Sequence, residues 1–198
     1  MVMTQSSDVL APGHKAPDFE LPEPANGNKP VRLADFKGSP VLVMFICNHC
    51  PFVVHLKEAI VKVAAEYQAK GFKVVAISSN SPVTHPQDGP EKMVEDAKKY
   101  GYTFPYVFDE DQVVAKAYSA ACTPEFYVLT PDHTLAYHGQ FDASRPKAGS
   151  APVTGQDLKA AMDAVLAGKP CPPGRPSIGC NIKWTPGKEP PYFASQQI

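Results

Sequence analysis

The chain contains 198 residues, carries a net charge of −1 at pH 7 and is 43% hydrophobic. This length suits one domain with attached segments and is sufficient to bury a sizeable core. The nearly neutral charge argues against nucleic-acid binding and membrane-surface binding, because both need a basic footprint. No segment has the length of a transmembrane helix, and the N-terminus lacks the basic start and apolar core of a secretory signal. We therefore expect a cytoplasmic protein whose five cysteines are catalytic, free or redox-sensing rather than a structural framework.

Regular elements are predicted from residue 16 onward, whereas residues 1–15 show no regular pattern. Asn-Gly between two short apolar segments predicts a hairpin, continuous apolar segments predict buried strands, and apolar residues three and four apart predict helices. In chain order the elements are a hairpin of 16–21 and 31–33, a strand at 41–46, a helix from Val53 to Gly71, a strand at 72–78, a helix from Pro90 to Gly101, a strand at 106–108, a helix at 112–120, a hairpin of 125–130 and 134–138, and a helix from Thr154 to Gly168. Strand 41–46, its helix and strand 72–78 form a right-handed crossover with parallel strands. Thr154 and Asp157 resemble a capping box at the start of the last helix.

The motif Cys47-Asn48-His49-Cys50 directly follows strand 41–46 and precedes the first helix. Two cysteines separated by two residues on the first turn of a helix can form a reversible disulfide, and the helix N-terminus stabilises the thiolate of the first. A thiolate is the nucleophile of thiol–disulfide exchange. The motif therefore predicts a redox dithiol at the carboxyl end of the strand, where open α/β sheets usually bind ligands.

Cys47 and Cys50 are also candidates for half of a metal site. Zinc sites built on Cys-x-x-Cys usually add a second such pair or a histidine pair, and the other cysteines and histidines of this chain are too widely spaced to supply one. The two thiolates with a histidine from elsewhere would suit Cu(I) or Zn. Redox use is the favoured interpretation, and it requires neither a metal nor an organic cofactor.

The last thirty residues, from Lys169, differ in composition from the rest of the chain. They are rich in Pro and Gly but contain large apolar side chains, including Ile182 and Trp184, so we expect this segment to lie against the body. Cys171 and Cys180 bracket a Pro-Gly loop. They can close a disulfide, dock on the active face or remain free, and their spacing does not decide between these alternatives.

The βαβ unit, the terminal ββα unit and Cys-x-x-Cys after the first strand resemble the thioredoxin superfamily. Ala16-Pro17-Asp18-Phe19 and the long segment at 79–109 resemble its peroxiredoxin-like and membrane-anchored thioredoxin-like branch. The resemblance covers residues 14–168 and implies an α/β three-layer sandwich, with a central mixed sheet, helices on both faces and an N-terminal hairpin. Residues 169–198 would then be an ordered extension packed on this domain. The motif from Ser177 to Trp184 is similar to one found in a poorly characterised bacterial group of thioredoxin-like proteins.

Three further residues take roles that this resemblance implies. Thr123-Pro124 precedes strand 125–130 at the place where the superfamily has a cis-proline facing the dithiol. The strand before Cys47 lacks the buried acid of thioredoxin, so Glu125 is the candidate for proton handling, as in related periplasmic reductases, with an exposed strand-start residue as the alternative.

His49 and Cys122 each have two interpretations. His49 takes the place of the histidine in strongly oxidising Cys-Pro-His-Cys enzymes, where a partly positive imidazole lowers the thiol pKa and makes the couple more oxidising. It can instead point to solvent. Cys122 can be a buried apolar residue or a third exchange partner, and burial is the commoner state of a free cysteine.

The leading functional prediction is a thiol–disulfide oxidoreductase. Cys47 attacks a substrate disulfide and Cys50 resolves the mixed disulfide, while Thr123 and Pro124 hold the extended backbone of the partner. The partner would be a disulfide-containing protein or a small thiol, and the oligomeric state stays open.

A peroxiredoxin and a redox-inert interaction module are the remaining alternatives. The peroxiredoxin pattern Pro-x-x-x-Thr-x-x-Cys is not matched, since Met44 takes the threonine place when counted from Cys47, and Cys47 takes it when counted from Cys50. The hydroxyl group that would orient a peroxide is therefore missing in both registers.

Overall fold

The structure, a computed structural model, describes residues 3–198. Its strands, in chain order, are β1 (Met3–Gln5), β2 (Glu20–Glu23), β3 (Lys29–Arg32), β4 (Val41–Phe45), β5 (Lys73–Ser78), β6 (Tyr106–Phe108), β7 (Cys122–Thr123), β8 (Glu125–Leu129), β9 (Leu135–Gly139) and β10 (Ile178–Asn181). Its α-helices are α1 (Pro51–Ala69), α2 (Pro90–Tyr100), α3 (Val113–Ala117) and α4 (Gln156–Leu166). Within residues 3–198, no helix has both the length and the apolar character needed to cross a membrane.

A five-stranded mixed sheet, in the order β6-β5-β4-β8-β9, forms the centre of the molecule. β4 is parallel to β5, with α1 in the connection, and β5 is parallel to β6, with α2 in the connection. β8 is antiparallel to both β4 and β9. Every residue of β4 is buried, as its continuous apolar sequence indicates for a central strand covered on both faces. The predicted α/β class with a central mixed sheet is confirmed.

Alternate side chains of β4 enter two different cores, because successive residues of a strand face opposite sides of the sheet. Leu42 and Met44 belong to a core covered by α1 and α4, whereas Val43 and Phe45 belong to a core covered by α3, the β2–β3 hairpin and the C-terminal segment. Complete burial of one such side chain contributes roughly 1.5–3 kcal/mol relative to exposure. The predicted layers, with helices on both faces of one sheet, are therefore confirmed.

Helix α1 covers one face of the sheet with a regular apolar stripe. The residues whose spacing predicts this helix are all buried: Val53, Leu56, Ile60, Val63 and Tyr67. The chain leaves the helix through Gly71, whose φ of 100° is readily adopted by glycine. The helix begins at Pro51, two residues before the predicted start, because proline has the φ that the first helical position requires.

A second sheet, in the order β1-β10-β7, joins both ends of the described chain to Thr123. Its pairs are antiparallel, with Met3 opposite Cys180 and Gln5 opposite Ile178. The prediction that residues 1–15 lack regular structure is therefore wrong for β1, while residues 1 and 2 lie outside the described residues. Pairing between segments so distant in sequence leaves no local pattern from which β1 could be predicted.

The tail, defined here as residues 169–198, packs closely on the body of the molecule. Ile182 and Trp184 are 1% and 5% exposed and belong to the second core. The backbone N–H of Lys183 donates a hydrogen bond to Asn80 Oδ1 at 2.8 Å. The tail therefore completes one face of the sheet and also contacts the loop that follows β5.

Candidate active site

The Cys47–Cys50 segment lies at the carboxyl end of β4. It is a loop, because β4 ends at Phe45, α1 begins at Pro51, and Cys50 is the residue that caps the helix N-terminus. The prediction that both cysteines lie on the first helical turn is therefore wrong. Its physical reason is Pro51, since a residue that precedes proline is driven to extended backbone, and Cys50 has ψ 123°. Both cysteines are buried, at 1% and 0% exposure.

Asp88 fixes this loop through both of its carboxylate oxygens. Oδ1 accepts hydrogen bonds from the backbone N–H groups of Asn48 at 2.9 Å and His49 at 3.3 Å. Oδ2 lies 2.5 Å from His49 Nδ1 and accepts a hydrogen bond from Asn80 at 2.8 Å. Burial raises the pKa of Asp88, but hydrogen bonds from His49 and Asn80 outweigh this effect and lower the pKa below its usual value. The imidazole is thus held by a buried carboxylate and does not simply point to solvent.

Asn48 is held from the opposite side by a buried lysine. Lys57 is 1% exposed, and its Nζ donates to the Asn48 carbonyl at 2.8 Å and to Asp96 at 2.6 and 2.7 Å. Tyr106 donates its hydroxyl proton to Asn48 Oδ1 at 3.0 Å. These bonds join the dithiol loop, residues 47–50, to the buried Lys57–Asp96 pair. Removing one partner of such a pair typically costs 3–5 kcal/mol, so the anchor of the loop is firm.

Thr123 contacts both sulfurs of the pair. Its Oγ1 lies 3.5 Å from Cys47 Sγ, and its carbonyl accepts from Cys50 Sγ at 3.3 Å. The Thr123–Pro124 peptide bond is cis, as the resemblance implied. β7 therefore brings the residue before the cis-proline against the dithiol.

Cys180 adds a third sulfur to this group. It lies opposite Thr123 in the β10–β7 pair, is 1% exposed, and interacts with Cys50. Cys171, the other cysteine of the tail, lies elsewhere, with its Sγ 3.4 Å from the carbonyl of Ala161 in α4. Of the three alternatives for these cysteines, docking on the active face applies to Cys180.

The sulfurs of Cys47 and Cys50 differ in acidity. Burial raises the pKa of Cys47, and its hydrogen bond with Cys50 and the negative charge of Asp88 raise it further. Hydrogen bonds from Cys180 and Cys47 lower the pKa of Cys50, and the N–H of Val53 in the first turn of α1 adds to this effect. The sequence-based expectation places the helix N-terminus at Cys47, whereas in the structure Cys50 is the capping residue. The helix N-terminus lies at Cys50, and the thiolate of the reduced protein is favoured there.

Glu125 is fully buried, so its interpretation as an exposed strand-start residue is wrong. Its carboxylate accepts hydrogen bonds from the N–H groups of Ala121 and Cys122 at 2.9 and 3.1 Å and from the Tyr127 hydroxyl at 2.8 Å. His138 Nε2 lies 2.6 Å away. Burial raises the pKa of Glu125, but the His138 contact and the backbone bonds lower it below its usual value. Glu125 is thus a buried carboxylate that touches Cys122, and its proton-handling role stays a prediction.

Cys122 is enclosed between β8 and the tail. Its Sγ lies 3.6 Å from the carboxylate of Glu125 and 3.8 Å from the carbonyl of Ser177. Burial raises the pKa of the Cys122 thiol, and the negative charge of Glu125 adds to the increase. A neutral, enclosed thiol matches the interpretation of Cys122 as a buried apolar residue.

One group of side chains has the composition of a metal site. Cys47, His49 and Asp88 each offer one ligand atom, and these atoms lie within 4.8 Å of one another. Such a set would suit Zn²⁺. His49 and Asp88 are, however, already bonded to each other, so metal binding would have to replace a buried hydrogen bond that also orders the loop.

Sequence reasoning missed Asp88, Lys57 and Cys180 as parts of this site. Asp88 lies in a segment whose Pro and Gly residues predict only a loop, and Lys57 looks like an ordinary helical lysine. For Cys180 the sequence does contain a hint, because this residue lies in the tail motif from Ser177 to Trp184 and, with Cys171, brackets the Pro-Gly loop. Only the strand pairing decides where that motif lies.

Comparisons with known proteins agree with this arrangement. The sequence matches the AhpC/TSA family over residues 12–138. The crystal structure of an uncharacterized conserved protein from Geobacillus kaustophilus is 47% identical, with a TM-score of 0.90, and the match covers 94% of this chain and 98% of that one. A Mycobacterium tuberculosis protein named "Putative peroxiredoxin" is 34% identical over 130 residues, which cover 61% of this chain and 71% of the relative. The thiol-disulfide oxidoreductase ResA of Oceanobacillus iheyensis is 27% identical over 133 residues, which cover 66% of this chain and 65% of the relative.

The family match spans more than half of the sequence, and it includes β4, the dithiol loop, α1 and the cis-proline. Both named relatives are redox proteins, one a peroxiredoxin by name and the other an oxidoreductase. The chain therefore belongs to the AhpC/TSA family, within the peroxiredoxin-like part of the thioredoxin superfamily.

Proposed function

We propose that the protein is a thiol–disulfide oxidoreductase in which Cys47 and Cys50 form the redox couple. The observation that carries this proposal is the contact of both sulfurs with Thr123, directly before cis-Pro124. Two thiols held at one point, one of them favoured as the thiolate, meet the needs of exchange chemistry. The partner would be a disulfide-containing protein or a small thiol.

We propose an order for the two steps from the position of the helix N-terminus, which lies at Cys50. The Cys50 thiolate attacks a substrate disulfide, so that a mixed disulfide forms and the first substrate thiolate leaves. Cys47 then attacks the Cys50 sulfur, and the second substrate sulfur leaves with the proton that Cys47 loses. The product is a Cys47–Cys50 disulfide, which a dithiol substrate returns to the reduced state by the reverse steps. This order is the opposite of the one expected from the sequence, because Cys50 and not Cys47 lies at the helix N-terminus.

The reduction potential of the couple tests the proposed function. After equilibration in glutathione buffers, we expect one two-electron transition between roughly −270 and −120 mV, the span of known dithiol enzymes. The transition should be absent in Cys50→Ser and retained in Cys171→Ser, whose sulfur lies against α4. A protein whose reactive-thiol count stays constant across these buffers would contradict the proposal.

The order of attack is tested separately with an aromatic disulfide such as Ellman's reagent. We expect Cys47→Ser to react quickly at Cys50. Cys50→Ser should react slower by roughly tenfold or more, because burial raises the pKa of the remaining Cys47. Faster reaction of Cys50→Ser would assign the attack to Cys47 and leave the function unchanged.

Hydroperoxide reduction is a second candidate, favoured by the family and by the relative named as a peroxiredoxin. Two of the three guanidinium groups that could stabilise a peroxide are engaged elsewhere: Arg32 pairs with Glu20, and Arg145 donates to the Asp142 carbonyl and to Gln140. We therefore expect hydrogen peroxide to oxidise the dithiol more slowly than an aromatic disulfide does. Stopped-flow measurement of both rates on the same protein decides between the two activities.

A further inference from the structure

Strand β10 fills the sheet edge at which a partner's backbone was expected to bind. It pairs with β7 in antiparallel orientation, with Cys180 opposite Thr123 and Asn181 opposite Cys122. The approach is unusually close at Gly179, where an added Cβ would lie 2.0 Å from the Thr123 carbonyl oxygen. The protein's own tail thus pairs with Thr123 in this structure, and the role of Thr123 and Pro124 in holding a partner stays a prediction.

The occupying strand also carries a sulfur to the dithiol. Cys180 lies opposite Thr123 in the β10–β7 pair, and Thr123 contacts the sulfurs of both Cys47 and Cys50, so the three cysteines meet at one residue. All three are buried, at 1% exposure or less, so a reaction among them is shielded from bulk solvent. β10 therefore resembles a bound protein substrate, because it is an extended strand that places a sulfur next to the redox couple.

We propose that Cys180 is a third exchange residue, which receives the disulfide of the Cys47–Cys50 pair within the same molecule. This inference rests on the proposed function of the pair. In the oxidised protein, Cys180 loses its proton and its sulfur attacks Cys50. The Cys47–Cys50 bond breaks, a Cys50–Cys180 bond forms, and Cys47 leaves as a thiolate that takes up the proton. One disulfide replaces another, so the step needs no further oxidant or reductant.

Transfer of the disulfide to Cys50–Cys180 would change how the protein binds its substrates. A Cys50–Cys180 disulfide links the N-terminus of α1 to β10 and returns Cys47 to the thiol form. It also ties the tail covalently to the position that an extended protein substrate would use. Such a substrate must displace β10 before it pairs with Thr123, and this displacement is possible only while Cys180 is in the thiol form.

Peptide mapping of the whole chain tests this inference. The protein is oxidised in glutathione buffers, quenched with acid, treated with N-ethylmaleimide and digested, and its cross-links are identified by mass spectrometry. We expect a cross-link between the peptide that contains Cys50 and the peptide that contains Cys180 in the wild type. It should become the main product in Cys47→Ser, because the competing disulfide cannot form there.

Two variants serve as controls. The cross-link should persist in Cys171→Ser, which removes the other tail cysteine, and disappear in Cys180→Ala, which keeps a small apolar side chain at this buried position. An unfolding midpoint of Cys180→Ala close to that of the wild type checks that its fold is intact.

The results separate this inference from the proposed function. If the Cys47–Cys50 disulfide forms in the wild type, and Cys180 is fully alkylated both there and in Cys47→Ser, the exchange role of Cys180 is wrong and the function stands. If Cys47 and Cys50 both stay reduced in every buffer, the proposed function fails and this inference fails with it.

Discussion

At the scale of single residues, Asp88 shows how a site can depend on a side chain that the motif does not contain. It lies 40 residues from Asn48 and holds two backbone N–H groups of the dithiol loop. The two cysteines could be predicted because their spacing is local. Asp88 could not, since its role arises only when the loop after β5 folds back over the end of β4.

Replacing this carboxylate should change the acidity of the nearest thiol. The negative charge of Asp88 raises the pKa of Cys47, so Asp88→Asn should lower that pKa and allow the Cys47 thiolate to form at lower pH. Ultraviolet absorbance of the thiolate during a pH titration of Cys50→Ser, with and without Asp88→Asn, measures the effect on Cys47 directly. Glu110→Gln, which removes an exposed acid, should leave the titration unchanged. An unchanged or raised pKa in Asp88→Asn would contradict this account.

Lys57 should be important for stability. Lys57→Met removes the cation that neutralises Asp96 and leaves the Asn48 carbonyl without its donor. Loss of one member of a buried charge pair typically costs 3–5 kcal/mol, and we expect a loss of about this size in the free energy of unfolding by urea. Lys62→Met, at an exposed position of the same helix, should change stability little. Equal effects of the two substitutions would refute the structural role of Lys57.

At the scale of elements, the predictions succeeded where the pattern is local. α2 was predicted from Pro90 to Gly101, and it ends at Tyr100, with Gly101 in the left-handed conformation that closes a helix.

The capping box predicted at the start of α4, from Thr154 and Asp157, is wrong. Gly155 caps the helix with φ 68°, and the Asp157 carboxylate accepts instead from Gln140 at 2.7 Å. A distant side chain decided this contact, and the sequence around Asp157 contains no trace of it.

The fit of β10 against β7 can be tested at one glycine. Gly179→Ala would place a methyl group against the Thr123 carbonyl and force the two strands apart. We expect faster alkylation of Cys50 and Cys180 by iodoacetamide, because the strand that covers them loosens. Gly187→Ala is the control, since its added methyl group meets nothing and only its φ of 78° is unfavourable. Similar alkylation rates in both variants would show that β10 does not shield these thiols.

At the scale of the whole molecule, the tail contributes to the hydrophobic core. A chain that ends at Gly168 would lose Ile182 and Trp184, each of which contributes roughly 1.5–3 kcal/mol through burial, a large part of the 5–15 kcal/mol typical of a domain. We expect this truncation to lower the urea midpoint severely or to prevent folding. A chain that ends at Glu189 keeps both residues but loses Tyr192 and Phe193, which pack against the same core, so its stability should lie between those of the other two forms. If the chain that ends at Gly168 were as stable as the full chain, residues up to 168 would form an independent domain.

The loop and helix between β5 and β6 supply Asp88 and Asn80, and with them both the charge beside Cys47 and a hydrogen bond to the tail. The chemistry of the couple is thus encoded partly in a segment that contains no cysteine. Two homologues with identical Cys-Asn-His-Cys motifs can therefore differ in reduction potential through this segment alone. Transplanting residues 79–109 between such homologues would transfer that difference, which gives evolution, or an engineer, a way to adjust the couple without altering its reactive atoms.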